Sequence, residues 1–198
     1  LLQDIWELGS LPEVMTDLIE KHVETGTETR IADLGCGKGA VSVNMSRRLG
    51  VHVKGIDLLP EFIKVAGEKA REYGVSHLCE FMVQDINEAV KKEREYDVVI
   101  LGAVGDALGK PEETLGKLKD VIRPRGFILI DEGYLDGNQE DVRYQNYEYL
   151  TQQEWRAYGP YTHLTLPTID AVEQSVGAVS LKKHNIDKSA SHPQHTTN

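Results

Sequence analysis

The residues best placed to do chemistry lie in one short stretch, where an apolar run ends in an acid and three glycines follow at alternate positions. The acid is Asp33, and the glycines are Gly35, Gly37 and Gly39. Glycines allow the backbone to turn sharply and to approach a ligand where a side chain would collide. A helical pattern follows, and its first N–H groups point back at the turn. The stretch predicts a nucleotide-binding turn.

Two further acids follow short apolar segments. Asp57 comes after residues 52–56, at about the distance from the turn where a carboxylate binds ribose hydroxyls. Asp85 comes after residues 78–83, and it could contact a ligand, cap the following helix, or do both. Since all adenosine cofactors carry ribose, Asp57 does not by itself identify the cofactor.

Two cofactor classes fit the turn. Gly35-x-Gly37-x-x-Ala40 fits the dinucleotide pattern, which is a weak signal when it stands alone. Asp33-x-Gly35-x-Gly37-x-Gly39 resembles motif I of the class I S-adenosylmethionine (SAM) methyltransferases. Dehydrogenase chemistry has little support, because the sequence contains no Tyr-x-x-x-Lys pair.

Later segments extend the resemblance to that family over roughly residues 30 to 134. Asp85 and Ile86 resemble the pair that bonds the adenine amino group and packs on its ring. Residues 96–101 resemble the family's fourth strand, and residues 123–131 its fifth, with Arg125 where the family more often has glycine. The resemblance implies SAM as cofactor, bound by Asp33, Gly35, Cys36, Gly37, Gly39, Asp57, Leu58, Asp85, Ile86 and Gly102.

Strand patterns alternate with helical patterns, which predicts βαβ units with right-handed crossovers. The expected fold is α/β, a Rossmann-like doubly wound and mostly parallel sheet in the order 3-2-1-4-5. Ligands of such sheets bind at the carboxyl ends of the strands. The first helix is expected to start at Ser10, with Ser10 and Glu13 forming a capping box.

The end of the chain has a different composition. Charged residues become sparse after residue 160, and residues 161–168 are similar to the translation of a transposase adaptor used in sequencing libraries. We expect a methyltransferase domain at 1–160 and a non-native or disordered tail at 161–198, whose histidines form no metal site. The family's usual 7-6 hairpin would then be missing or replaced. Strand five would be left as an open edge or would pair with the tail.

Composition limits the class of protein. The 198 residues fit one domain, and the net charge of −10 disfavours a nucleic-acid partner. No apolar run is long enough to span a bilayer, and the two cysteines lack metal-ligand spacing. We expect a cytoplasmic location and no metal, while the oligomeric state stays open. The sequence starts at Leu1 without methionine, so the natural N-terminus could lie further upstream.

The expected function is methyl transfer from SAM to a small-molecule acceptor through an oxygen, nitrogen or carbon nucleophile. Strand four is not followed by Asn/Asp-Pro-Pro-Tyr, which also favours a small acceptor. An oxygen or carbon nucleophile needs a base, for which Asp106 and Glu132 are candidates, although either could be a solvated loop acid or a helix cap. The alternatives are an NAD-binding oxidoreductase and a catalytically inactive SAM-binding regulatory protein.

Overall fold

A mostly parallel sheet with helices on both faces organises the chain. The structure, a computed structural model, describes residues 5–133, 143–144, 147–148, 150–157, 163–164 and 178–182. The strands are β1 (Arg30–Leu34), β2 (His52–Asp57), β3 (Cys79–Val83), β4 (Tyr96–Gly102), β5 (Ile122–Gly133), β6 (Arg143–Tyr144), β7 (Tyr147–Glu148), β8 (His163–Leu164) and β9 (Ala178–Lys182). The helices are α1 (Pro12–His22), α2 (Ala40–Leu49), α3 (Pro60–Glu72), α4 (Ile86–Lys92), α5 (Pro111–Val121) and α6 (Gln152–Ala157).

The predicted order 3-2-1-4-5 is confirmed, and neighbouring strands in it pair in parallel. In the ladders, Asp33 of β1 lies between Gly55 of β2 and Ile100 of β4. Asp57 of β2 pairs with Val83 of β3. The carboxyl ends of these strands therefore share one edge of the sheet, as the fold class requires.

Beyond β5 the sheet continues with β9 and then β8, and both pairings are parallel. Among the described residues, β9 and β8 occupy the place beside β5 that the family's antiparallel hairpin usually takes, where we expected that hairpin to be missing or replaced. The backbone of residues 129–133 pairs with residues 178–182, so this edge of β5 is covered rather than open. Whether residues 161–198 are native stays a prediction.

The core has two main layers, one on each face of the sheet. On one face, side chains of α1 and α2 such as Met15, Ile19 and Met45 pack against β1, β2 and β4. On the other, buried side chains of α4 and α5 pack with β4, β5 and Trp155 of α6. Six of the seven residues of β4 are buried, which is typical of a parallel strand covered on both faces. No helix in the described ranges is long and apolar enough to cross a membrane.

Of the two helix caps predicted above, the structure contains one. Asp85 accepts a hydrogen bond from Asn87 N–H at 2.8 Å and caps α4. Thr151 and Glu154 form a reciprocal capping box before α6. The predicted cap at Ser10 is wrong: α1 begins one residue later than that pattern requires, with Leu11 at the N-cap and no side-chain cap bond.

Arg125 lies within β5, opposite a register shift between Tyr96 and Val98 of β4. Its φ is +65°, in the left-handed region that glycine adopts without steric cost. Arg125 thus departs from the family's usual glycine at a position where the backbone favours glycine.

Two glycines at the ends of α2 provide a matched stability test. Gly39 has φ +77°, and a Cβ there would lie 2.7 Å from Ala66 Cβ and 3.0 Å from the Phe81 ring. Gly50 has φ +68°, with nothing within 4 Å of the same position. We expect Gly50→Ala to lower the free energy of unfolding by about 1 kcal/mol through backbone strain alone. Gly39→Ala should lower it by about 3 kcal/mol, because overpacking adds to the strain.

Urea unfolding of both variants measures the difference. Equal losses would contradict the close packing of α2 against α3 and β3 at Gly39.

Candidate functional site

A cavity of about 200 Å³ lies at the carboxyl ends of β1, β2 and β4, under the segment that precedes α1. The predicted site residues that line it are Asp33, Gly35, Cys36, Gly37, Asp57 and Gly102. The predicted residues that do not line it are Gly39, Leu58, Asp85, Ile86, Asp106 and Glu132. The structure thus brings together the turn and two carboxylates, and leaves the predicted adenine contacts outside.

The glycine-rich turn uses the left-handed conformation three times. Gly35, Gly37 and Gly39 have φ of +78°, +54° and +77°. A Cβ at Gly35 would lie 2.3 Å from Val104 Cγ1, because the loop after β4 closes on the turn. The N–H groups of Gly35 and Cys36 donate to Ile56 O at 2.8 and 3.0 Å. These bonds fasten the turn to the end of β2.

Asp57 holds the same turn with its side chain. Its Oδ2 accepts a hydrogen bond from Gly37 N–H at 2.9 Å, and its Oδ1 accepts one from Leu59 N–H at 2.9 Å. A carboxylate offers about four lone-pair sites, so Asp57 can still accept from a ligand hydroxyl. The predicted ligand contact also positions the turn, which sequence spacing did not reveal.

Asp33 is the most deeply buried acid at the cavity, with 3% of its surface exposed. Its Oδ2 accepts a hydrogen bond from Ser42 O–H at 2.5 Å. Burial raises the pKa of Asp33 from 3.8 to about 6; the Ser42 bond opposes the rise, and the charge of Asp57 adds to it. A bound cation would stabilise the ionised form of Asp33.

Cys36 lies in the turn with its thiol buried. Burial raises the pKa of this thiol well above its ordinary value, and the charges of Asp33 and Asp57 raise it further. Because the thiolate is the reactive form, Cys36 is an unreactive part of the turn rather than a nucleophile.

Residues 5–10, called the strap below, are fastened to the turn. Trp6 Nε1–H donates to Lys38 O at 2.9 Å, and Lys38 Nζ donates to Ile5 O at 2.6 Å. The Trp6 ring stacks on Tyr73 with centroids 5.2 Å apart. Lys38 is only 4% exposed. The strap is therefore a fixed wall of the cavity.

The individual strap residues were not found from the sequence. No periodic pattern in the sequence singles out Trp6 or Leu8, which both line the cavity. The pattern at Ser10 predicts a helix cap, whereas the structure places Ser10 in the cavity wall.

The two candidate bases lie elsewhere. Asp106 is exposed in the loop after β4. Glu132 accepts hydrogen bonds from Gly105 N–H and Gly133 N–H, both at 2.9 Å, so it ties the loop after β4 to the end of β5. A role for either as a base stays a prediction.

Apolar side chains are exposed beside the cavity, at the ends of β2 and β3. Leu58 is 64% exposed and Val83 47% exposed, although both are large hydrophobic residues. Asp85 and Ile86 follow on the same side, at the start of α4. This arrangement provides an apolar surface next to a polar acceptor, which suits a flat heteroaromatic ring.

A family model described as a methyltransferase domain matches residues 26–188. The chain belongs to this methyltransferase family. It is 36% identical over 101 residues to a ubiquinone biosynthesis O-methyltransferase of Aeromonas salmonicida (strain A449), which covers 51% of the chain and 42% of that relative. It is 26% identical over 192 residues to a malonyl-[acyl-carrier protein] O-methyltransferase of Halalkalibacterium halodurans, covering 86% of the chain and 69% of the relative.

Among solved structures, the methyltransferase domain is similar to a SAM-dependent methyltransferase from Geobacter sulfurreducens in complex with S-adenosyl-L-homocysteine. The TM-score is 0.65 at 25% identity, and the match covers 78% of this chain and 64% of that one. The chain spans about half the length of the first curated relatives that it matches.

Proposed function

We propose that this methyltransferase domain binds SAM and transfers its methyl group to a small-molecule acceptor. The observation that carries the proposal is the acidic cavity at the glycine-rich turn. Two acids, Asp33 and Asp57, and one basic residue, Lys38, line it, so acids outnumber bases. The N–H groups of Gly35, Cys36 and Gly37 already donate to protein oxygens. Such a site favours a ligand with positive charge, and SAM carries a sulfonium and an ammonium.

The same observation argues against a dinucleotide. A dinucleotide-binding turn directs its backbone N–H groups at a pyrophosphate, which is anionic. Here those groups of Gly35 and Cys36 donate to Ile56 O, and two carboxylates lie beside them. Pyrophosphate would meet repulsion where it needs donors, so NAD is a poor fit.

The cofactor fits the described residues in three parts. The glycine-rich turn would border its amino-acid end, and the free acceptor sites of Asp57 would bind its ribose hydroxyls. Leu58 and Val83 would pack on the adenine ring, whose amino group would donate to Asp85. The cavity itself is too small for the whole cofactor, and the exposed apolar side chains of Leu58 and Val83 lie beside it, next to Asp57.

When bound, SAM supplies a methyl group on a sulfonium, and the role of the chain is to position donor and acceptor in line. Ala103 and Val104 of the loop after β4 line the cavity together with the strap, and they would border the acceptor. The net charge of −10 favours a small molecule over a nucleic acid. A cytoplasmic location remains part of this proposal.

Calorimetry with SAM and NAD on the same folded sample tests the cofactor. We expect SAM to bind and NAD to bind at least about 100-fold more weakly, since the turn offers the pyrophosphate no free donors at Gly35 to Gly37. Tighter binding of NAD would overturn the proposal. Formation of S-adenosyl-L-homocysteine with a panel of small acceptors separates an enzyme from an inactive SAM-binding protein, which would bind SAM but yield no product.

A further inference from the structure

Ser10 is a buried hydroxyl at the wall of the cavity. It is 5% exposed, and within the part of the chain that the structure describes its Oγ has no hydrogen-bond partner. A buried hydroxyl without a partner is unfavourable, and such groups in folded proteins usually call for an explanation. Ser10 does not cap α1, so the helix does not provide one.

The surroundings fix where this hydroxyl lies. A Cβ built at Gly102 would lie 2.6 Å from Ser10 Oγ, and one built at Gly9 would lie 2.6 Å from Ala103 Cβ. The strap therefore crosses the end of β4 in close contact, and Gly102 lacks a side chain where Ser10 needs the space. Ser10 Oγ is held at the cavity wall by the packing of the strap on β4.

Two other side-chain donors of the cavity wall already have partners. Trp6 Nε1 donates to Lys38 O, and Lys38 Nζ donates to Ile5 O. The acidic groups, Asp33 and Asp57, can accept hydrogen bonds but repel an anion. A zwitterionic ligand would find acceptors for its ammonium there, and its carboxylate would need a donor.

We propose that Ser10 O–H donates a hydrogen bond to the carboxylate of an amino-acid group bound in this cavity. Under the proposed function, on which this inference rests, that group is the amino-acid end of SAM. Ser10 is then a ligand-binding residue supplied by the strap, and the strap contributes to selectivity for ligands that keep the carboxylate.

The test combines one substitution with ligands that lack parts of the amino-acid end. Ser10→Ala should bind S-adenosyl-L-homocysteine about 10-fold more weakly than wild type, the effect of one hydrogen bond to a charged group. Its affinity for 5′-methylthioadenosine, which has no amino-acid end, should be unchanged. Its affinity for decarboxylated SAM should be unchanged as well, since that ligand lacks the carboxylate and keeps the ammonium.

The stability of Ser10→Ala is a second readout, and it would change if Ser10 had a structural role. Because the hydroxyl has no partner to lose, Ser10→Ala should unfold at the same urea concentration as wild type or at a higher one. Ser46→Ala is the matched control: Ser46 is a buried serine of α2 outside the cavity, and its Oγ accepts from Cys79 Sγ at 3.2 Å. It should leave all three affinities unchanged.

The outcomes separate the two proposals. If wild type binds neither SAM nor S-adenosyl-L-homocysteine, the proposed function fails and this inference fails with it. If wild type binds both ligands and Ser10→Ala binds each as tightly as wild type does, only the inference is overturned. The inference would also be overturned if Ser10→Ala weakened binding of 5′-methylthioadenosine or of decarboxylated SAM as much as binding of S-adenosyl-L-homocysteine. A clear loss of stability in Ser10→Ala would overturn it as well.

Discussion

Asp33→Asn is expected to stabilise the folded chain at pH 8 and to weaken SAM binding. The carboxylate is buried, and its pKa is raised from 3.8 to about 6, so at pH 8 the folded chain carries a poorly solvated charge. Asparagine removes the charge and keeps an oxygen for Ser42 O–H, which donates to Asp33 Oδ2. We expect a gain of about 2 kcal/mol in the free energy of unfolding at pH 8.

The sign of the pH dependence follows from the direction of the shift. Between pH 3.8 and about 6 the folded chain binds more protons at Asp33 than the unfolded chain does. This group therefore lowers the free energy of unfolding as pH rises through that window. Asp33→Asn lacks the contribution, so the difference between variant and wild type should grow with pH and level off above about pH 7.

Binding should change in the opposite sense. Ionised Asp33 attracts the cationic end of SAM in a poorly solvated site, so Asp33→Asn should weaken binding by about 100-fold at pH 8. In wild type the affinity should fall as pH drops through about 6, where Asp33 becomes protonated. In Asp33→Asn this dependence should be absent.

Urea titrations and calorimetry at several pH values measure both effects. Ser42→Ala serves as the companion variant: it removes a hydrogen bond that lowers the pKa of Asp33, so the midpoint of the binding profile should move to higher pH. Parallel pH profiles for wild type and Asp33→Asn would contradict the buried charge as the cause.

The sheet was predictable because its signals are local. Each of the first five strands is an apolar run ending near an acid or glycine, and βαβ chirality then leaves few arrangements. The positions of Asp33 and Asp57 were predictable with the strands, since the carboxyl ends of parallel strands meet at one edge of the sheet. For the outer edge of β5 the sequence predicts two alternatives, an open edge or pairing with the tail, because sequence distance does not determine a long-range edge contact.

The contacts inside the site were less predictable, because they depend on side-chain packing between distant segments. The capping pattern at Ser10 depends only on neighbouring residues, whereas the position of Ser10 depends on the packing of the strap on Gly102. The bond from Gly37 N–H to Asp57 joins groups far apart in sequence and leaves no periodic trace. Glu132 shows the same limit, since its place at a strand end suggested a base and its carboxylate binds backbone N–H groups.

Asp57→Ala should have the other large effect on binding. The substitution removes two acceptors at once, one for Gly37 N–H and one for Leu59 N–H, and it removes the carboxylate proposed to bind ribose. We expect SAM affinity to fall by at least about 100-fold and the free energy of unfolding to fall by about 2 kcal/mol. Because 5′-methylthioadenosine keeps the ribose, its affinity should fall to a similar degree.

Asp97→Ala is the matched control for the loss of structure. Asp97 Oδ2 accepts a hydrogen bond from Arg30 N–H at 2.7 Å, so it too joins neighbouring strands through a backbone N–H, and it does not line the cavity. This variant should lose comparable stability and keep wild-type affinity for SAM while folded. Similar losses of affinity in both variants would mean that general loosening, rather than the Asp57 carboxylate, weakens binding. A loss of SAM affinity in Asp57→Ala alone would indicate that this one carboxylate both binds the ribose and holds the turn.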